Sequence, residues 1–190
     1  MKDNIKLGLI LLLITGIAGF LLGGAYEITK APIAASVASD KQTAMKEILP
    51  DADKFSNSDV NIKSNAKILE VNVGTKGTKI AGYAIKVAPK GYAGPIETMV
   101  GISSDGKVTG ISILAHTETP GLGANAPEPA FSNEYKNKPT KEDLEVVKVV
   151  PKKDNEIQAM TGATITSKAV TLGVNDAIDF YNSSLKGDKK

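Results

Sequence analysis

The 190-residue chain contains no cysteine, so disulfides, thiolate metal sites and cysteine nucleophiles are excluded. It has no tryptophan and a single histidine, His116, which rules out a histidine-based metal cluster. Charge is nearly balanced, with 23 basic against 21 acidic residues and a net charge of +2. Such a balance provides no broad field to steer the protein toward nucleic acid, and none is expected as a partner. The catalytic motifs GxSxG, HExxH and the P-loop are absent, which leaves a hydrolase or metalloenzyme without support.

What is present begins with a run free of charge, Leu7 to Tyr26. As a helix it extends about 30 Å, the thickness of a bilayer's hydrocarbon core. It is longer than the ~7–15 apolar residues of a cleaved signal peptide, and no clear small-x-small cleavage site follows it. Residues 7–26 are therefore expected to be a retained transmembrane helix, with Gly16, Gly19 and Gly23 suited to close helix–helix approach. Lys2 and Lys6 precede the run, and the next basic residue is Lys30. By the positive-inside rule, residues 1–6 are cytoplasmic and the remainder of the chain lies outside.

The segment from Lys30 to Pro50 predicts a stalk helix with Pro32 near its start, and polar residues 51–65 read as a loop. Strand patterns follow at 67–73 and 79–89, and 96–114 predicts a hairpin turning at Asp105-Gly106. In 67–73, alternation places Ile68, Glu70 and Asn72 opposite Leu69, Val71 and Val73. Residues 115–138 hold three prolines and two glycines and read as an irregular, functional excursion. "LEVVKVV" (144–150) predicts a further strand. A closing helix carries Val170, Val174, Ala177, Ile178, Tyr181 and Leu185 on one face. The expected fold is α+β: one N-terminal transmembrane helix, then a small domain with an antiparallel sheet and packed helices.

"TGATITSKAV" (161–170) gathers hydroxyls where an extended segment meets that helix. Two readings of it stand side by side. Ser and Thr are preferred N-caps. A helix N-terminus also holds phosphate well, and a hydroxyl there can be esterified to one. "HTETPGLG" (116–123) and "GYAGPIETMVGI" (91–102), taken alone, are a Pro/Gly loop and a turn into a strand.

Together and in this order, "GYAGPIETMVGI", "HTETPGLG" and "TGATITSKAV" behind one anchor closely resemble the FMN-binding domain family. Within it they resemble the G subunits of Rnf-type, ion-translocating ferredoxin:NAD oxidoreductase complexes, and the related C subunits of sodium-pumping NADH:quinone reductases. The resemblance implies FMN joined by a phosphoester to Thr164, within a motif formed with Thr161, Gly162 and Ala163, while neighbouring hydroxyls such as Thr166 cap the helix or serve recognition. It also implies Glu118, Thr119, Leu122 and Gly123 as flavin contacts. The implied partners are the other membrane and peripheral subunits of such a complex and a flavin transferase for maturation. The family often has an acidic residue three before the motif, where this chain has Gln158, with Glu156 and Asp154 nearby. The implied domain spans 66–185, followed by a solvated tail at 186–190. A membrane-anchored structural or assembly module without a redox cofactor is the alternative.

Overall fold

The computed structural model describes residues 2–58, 60, 62 and 67–187. Residues 59, 61 and 63–65 of the expected loop, residue 66 at the start of the expected domain, and 188–190 of the expected tail lie outside the described residues. The chain forms two compact units, Met1–Lys41 and Gln42–Lys190.

The first unit is helical. Helix α1 runs without a break from Lys2 to Ile48 and is long and apolar enough to cross a membrane. The expected fresh helix start at Pro32 is not seen, because Pro32 sits inside α1. A proline there costs the helical bond to the Ile28 carbonyl. The alanine-rich sequence that follows it favours helix strongly enough to continue through it.

The second unit is built on a meander. Strands β1 (Lys54–Asn57), β2 (Ile68–Lys76), β3 (Lys79–Val87), β4 (Glu97–Ser103), β5 (Lys107–Ala115) and β6 (Lys138–Pro139) lie in sequence order, each antiparallel to the next. The short turns between β2 and β3 and between β4 and β5 leave those pairs little alternative to antiparallel pairing. The hairpin turns where expected, with Gly106 at φ +84°. Strand β1 was not expected. Its "KFSN" has one large apolar residue and lies at the sheet edge, so it carries no alternating signal.

The simple alternation expected for β2 fails. A register shift between Ile68 and Glu70 breaks its parity. Ile68 and Val71 both enter the core, and Leu69 is left 48% exposed. A one-residue bulge exchanges the faces of everything beyond it.

One face of the sheet, with Tyr83, Ile85, Val87, Val100 and Ile102, packs against helix α3 (Thr164–Phe180) and the π turn Tyr181–Leu185 that follows. All six residues expected on the apolar face of this helical segment are buried. The other face is covered by the end of α1 and the residue after it: Met45, Ile48 and Leu49 pack with Ala52 on Ala84 and Met99. Close approach requires glycine here. A Cβ on Gly82 would lie 2.8 Å from a Leu49 methyl, and one on Gly101 would lie 2.8 Å from the Ile48 carbonyl oxygen. The Thr109 hydroxyl donates to that same carbonyl and so caps the helix end.

Between β5 and α3 the chain winds through short helical turns, including α2 (Pro129–Ser132), as expected of an irregular excursion. The strand expected at 144–150 is only β7 (Glu145–Val147), paired in parallel with an unexpected three-residue β8 (Glu156–Gln158). Val149 and Val150 have no pairing partner among the described residues and are exposed.

Candidate functional site

Three segments meet at the start of α3. Residues 160–163 enter the helix through Gly162, whose φ of +75° is open to glycine at little cost. A Cβ there would also come within 2.9 Å of a Leu122 methyl. The loop from Thr117 to Gly123 lies alongside, and the turn containing Tyr92 closes the far edge. The space between them is a cleft of about 480 Å³. Tyr92, Glu118, Thr119, Leu122, Gly123 and the turn Gly162–Thr166 line it. Of the residues expected at the site, only Thr161 is elsewhere: it lines a neighbouring hollow on the other side of Leu122.

The expected hydroxyl cap is absent. Ala163 is the N-cap residue and no side chain caps the helix. Each nearby hydroxyl has a different use. Thr166 donates to the Glu118 carboxylate. Ser167 donates to the Ala163 carbonyl at 3.0 Å and accepts the Met160 N–H at 3.0 Å, holding the incoming chain against the helix. Capping fails because Thr166 and Ser167 lie inside the helix, where a hydroxyl reaches back or sideways rather than to the first amides. Thr161 is exposed, and Thr164 is partly exposed at the cleft. Among the described residues neither of these two hydroxyls has a hydrogen-bond partner.

The first amide of α3 to pair within the helix is that of Ser167, which donates to the Ala163 carbonyl at 3.0 Å. The N–H groups of Thr164, Ile165 and Thr166 have no intrahelical acceptor. With the positive end of the helix dipole, they can hold an anion, worth about 0.3–1 kcal/mol when exposed and up to ~2 when partly buried.

Glu118 is 5% exposed. Its Oε1 accepts the Ala93 N–H at 2.9 Å and its Oε2 accepts the Thr166 hydroxyl. Burial pushes its pKa up, but the Thr166 hydroxyl and the amides of Ala93, Tyr92 and Gly94 outweigh that and hold it below the ordinary carboxylate value. Its own N–H donates to His116 Nδ1 at 3.3 Å, so the histidine is turned onto its own loop. Tyr92, 68% exposed, and Ile165 were not expected at the site. The available signal for Tyr92 was an aromatic residue between Gly91 and Gly94 in a segment already singled out.

A domain of this architecture, with a phosphate-sized cluster of free amides beside an apolar cleft, belongs to a recognised class. Residues 91–179 match the model of the FMN-binding domain. FMN fits what is present: the cleft lies within the ~300–1,000 Å³ usual for small-molecule sites. Its walls include Leu122, Ile165 and Tyr92, and the unpaired amides suit a phosphate.

The whole chain has close relatives. It is 39% identical to the G subunit of the Na⁺-translocating ferredoxin:NAD⁺ oxidoreductase complex of Acetobacterium woodii, over 97% of this chain and 95% of that one. It is 41% identical to the G subunit of the proton-translocating ferredoxin:NAD⁺ oxidoreductase complex of Clostridium ljungdahlii, over 86% and 83%. The chain belongs to the G-subunit family of ion-translocating oxidoreductase complexes. Among solved structures, it resembles the C subunit of the Na⁺-translocating NADH-quinone reductase of Parabacteroides distasonis, at 26% identity and a TM-score of 0.54 over 66% of each chain. NqrC of Shewanella oneidensis, 22% identical with a TM-score of 0.50 over 70% of this chain and 67% of that one, shares the fold.

Proposed function

We propose that this chain is the electron-carrying G subunit of a membrane-bound, ion-translocating ferredoxin:NAD oxidoreductase, with FMN held by a phosphoester to Thr164. The observation that carries the attachment site is the use of the hydroxyls. Thr166 and Ser167 are engaged within the protein, and Thr161 lines a different hollow. Of the four hydroxyls from Thr161 to Ser167, Thr164 alone, among the described residues, combines an unpartnered hydroxyl with a place in the cleft wall at the start of α3.

Bound FMN supplies the electron-transfer chemistry, and the protein supplies position and electrostatics. The Thr164 oxygen fixes the phosphate end, and the free amides of the first turn carry its charge. Leu122, Tyr92, Thr119 and Gly123 would offer the cleft walls that hold the ring. The modest dipole interaction could not retain a cofactor through repeated turnover, which gives the covalent bond its purpose. The chain has no nicotinamide-binding GxGxxG, so electrons come from and go to other subunits of the complex.

Helix α1 anchors the protein in the membrane. Lys2 and Lys6 keep its start in the cytoplasm, and the flavin domain lies outside, where a flavin transferase loads it.

The test is co-expression of the full chain with a flavin transferase. Wild-type protein should fluoresce in a denaturing gel, and the tryptic peptide 154–168 should carry one FMN, less one water, at Thr164. Thr164→Val keeps the shape, removes the nucleophile and should abolish the label. Label mapped to Thr161 or Thr166 refutes the site. Colourless wild-type protein beside an active transferase refutes the flavoprotein reading and supports a structural module.

A further inference from the structure

We propose that Glu118 is a positioning residue, a buried anionic clamp that joins the two walls of the flavin cleft and sets a fixed negative charge behind it. This inference rests on the FMN reading above. Glu118 and Thr166 both line the cleft, yet their polar atoms are directed at each other. The same carboxylate accepts the Ala93 amide at 2.9 Å, and the amides of Tyr92 and Gly94 also face it. One side chain thus ties the turn that presents Tyr92 to the turn that presents Thr164. The two turns are far apart in sequence and are held together here by a group nine-tenths buried.

The surroundings are shaped around that carboxylate. A Cβ on Gly91 would lie 2.6 Å from Oε1, and one on Gly123 would lie 2.6 Å from Oε2. Both glycines leave space that the carboxylate fills. Among the described residues no lysine pairs with Glu118. Its charge is held by neutral donors alone. Such donors stabilise an anion locally but do not cancel its field.

Reduction adds negative charge to a bound flavin. A fixed anion beside the cleft opposes that gain, so Glu118 biases the couple toward the oxidised form. Glu118→Gln removes the charge and conserves the shape. The amide oxygen can still accept from Ala93, and the Thr166 hydroxyl can reverse to accept from the amide nitrogen.

The experiment uses the flavinylated full-length chain in detergent, with a spectroscopic redox titration and flavin fluorescence anisotropy. Glu118→Gln should move the oxidised-to-reduced ratio at the wild-type midpoint about tenfold toward reduced, an upward shift of about 59 mV for a one-electron couple. Thr166→Val keeps the charge but releases one wall. It should lower the anisotropy without raising the potential, and Thr166→Ser should restore the anisotropy.

A folded, flavin-bearing Glu118→Gln with an unchanged potential overturns this inference alone. If Glu118→Gln yields no folded protein, the Thr166 pair decides. Loosened flavin in the Val variant but not the Ser variant supports the clamp, and equal anisotropy in both overturns it. Wild-type protein without flavin sinks the FMN reading, and the clamp with it.

Discussion

Replacing Gly162 by alanine probes the turn into α3 most directly. Gly162 has φ +75°, and a Cβ there would lie 2.9 Å from the Leu122 Cδ2. Two costs follow. An L-residue in the left-handed region loses about 1–2 kcal/mol. Pushing Leu122 off its rotamer adds about 0.5–1.5 kcal/mol, and Leu122 is 43% exposed, so it can turn aside toward the cleft. The total is about 1.5–3.5 kcal/mol, equivalent to a drop of about 3–14 °C in melting temperature for a domain of this size.

The assay is a thermal melt of the unflavinylated chain, followed by circular dichroism, with Gly110→Ala as reference. A Cβ on Gly110 would meet nothing nearer than 3.8 Å, so that variant should stay within about 0.5 kcal/mol of wild type. Adding Leu122→Ala completes a double-mutant cycle. It should remove the contact cost and leave the backbone cost of about 1–2 kcal/mol. Equal melting of Gly162→Ala and Gly110→Ala would refute the reasoning. Complete recovery in the double variant would show that contact, not backbone conformation, demands glycine.

Leu49→Ala should cost about 2–5 kcal/mol in a urea melt, because Leu49 is 2% exposed against the second face of the sheet; a loss under 1 kcal/mol, on the order of a surface change, would mean that this face needs no cover. Glu118 has a folded-state pKa below the ordinary 4.5, so its stabilisation is present above that pH and is lost as pH falls through the folded value. Melting temperature should therefore drop more steeply below pH 4.5 in wild type than in Glu118→Gln, and parallel curves would contradict this. For topology, a cysteine at exposed Ser104 (Ser104→Cys) should react with a membrane-impermeant thiol reagent in intact cells whose outer membrane, if present, has been permeabilised. Labelling only after lysis would reverse the orientation.

The sequence alone determined the features that depend on near neighbours. A charge-free run long enough for a bilayer, the Asp105-Gly106 turn between two β-rich runs, and the apolar face from Val170 to Leu185 are patterns of a few residues' spacing, and each was found in place. The TGAT motif is equally local, and its resemblance to a family pointed to the cleft before any contact was known. Other features depended on partners distant in the chain. The bulge in β2 is set by its pairing with β3, and β1 and β8 exist because a partner strand completes their hydrogen bonds. That the end of α1 covers the second face of the sheet depends on Gly82 and Gly101 lying beneath it. The use of the hydroxyls near Thr164 was decided in the same way. Thr166 lies 48 residues from Glu118, and only the folded chain places that carboxylate under the helix. A hydroxyl's partner is fixed by which acceptor lies within about 3 Å, and that is a property of tertiary packing.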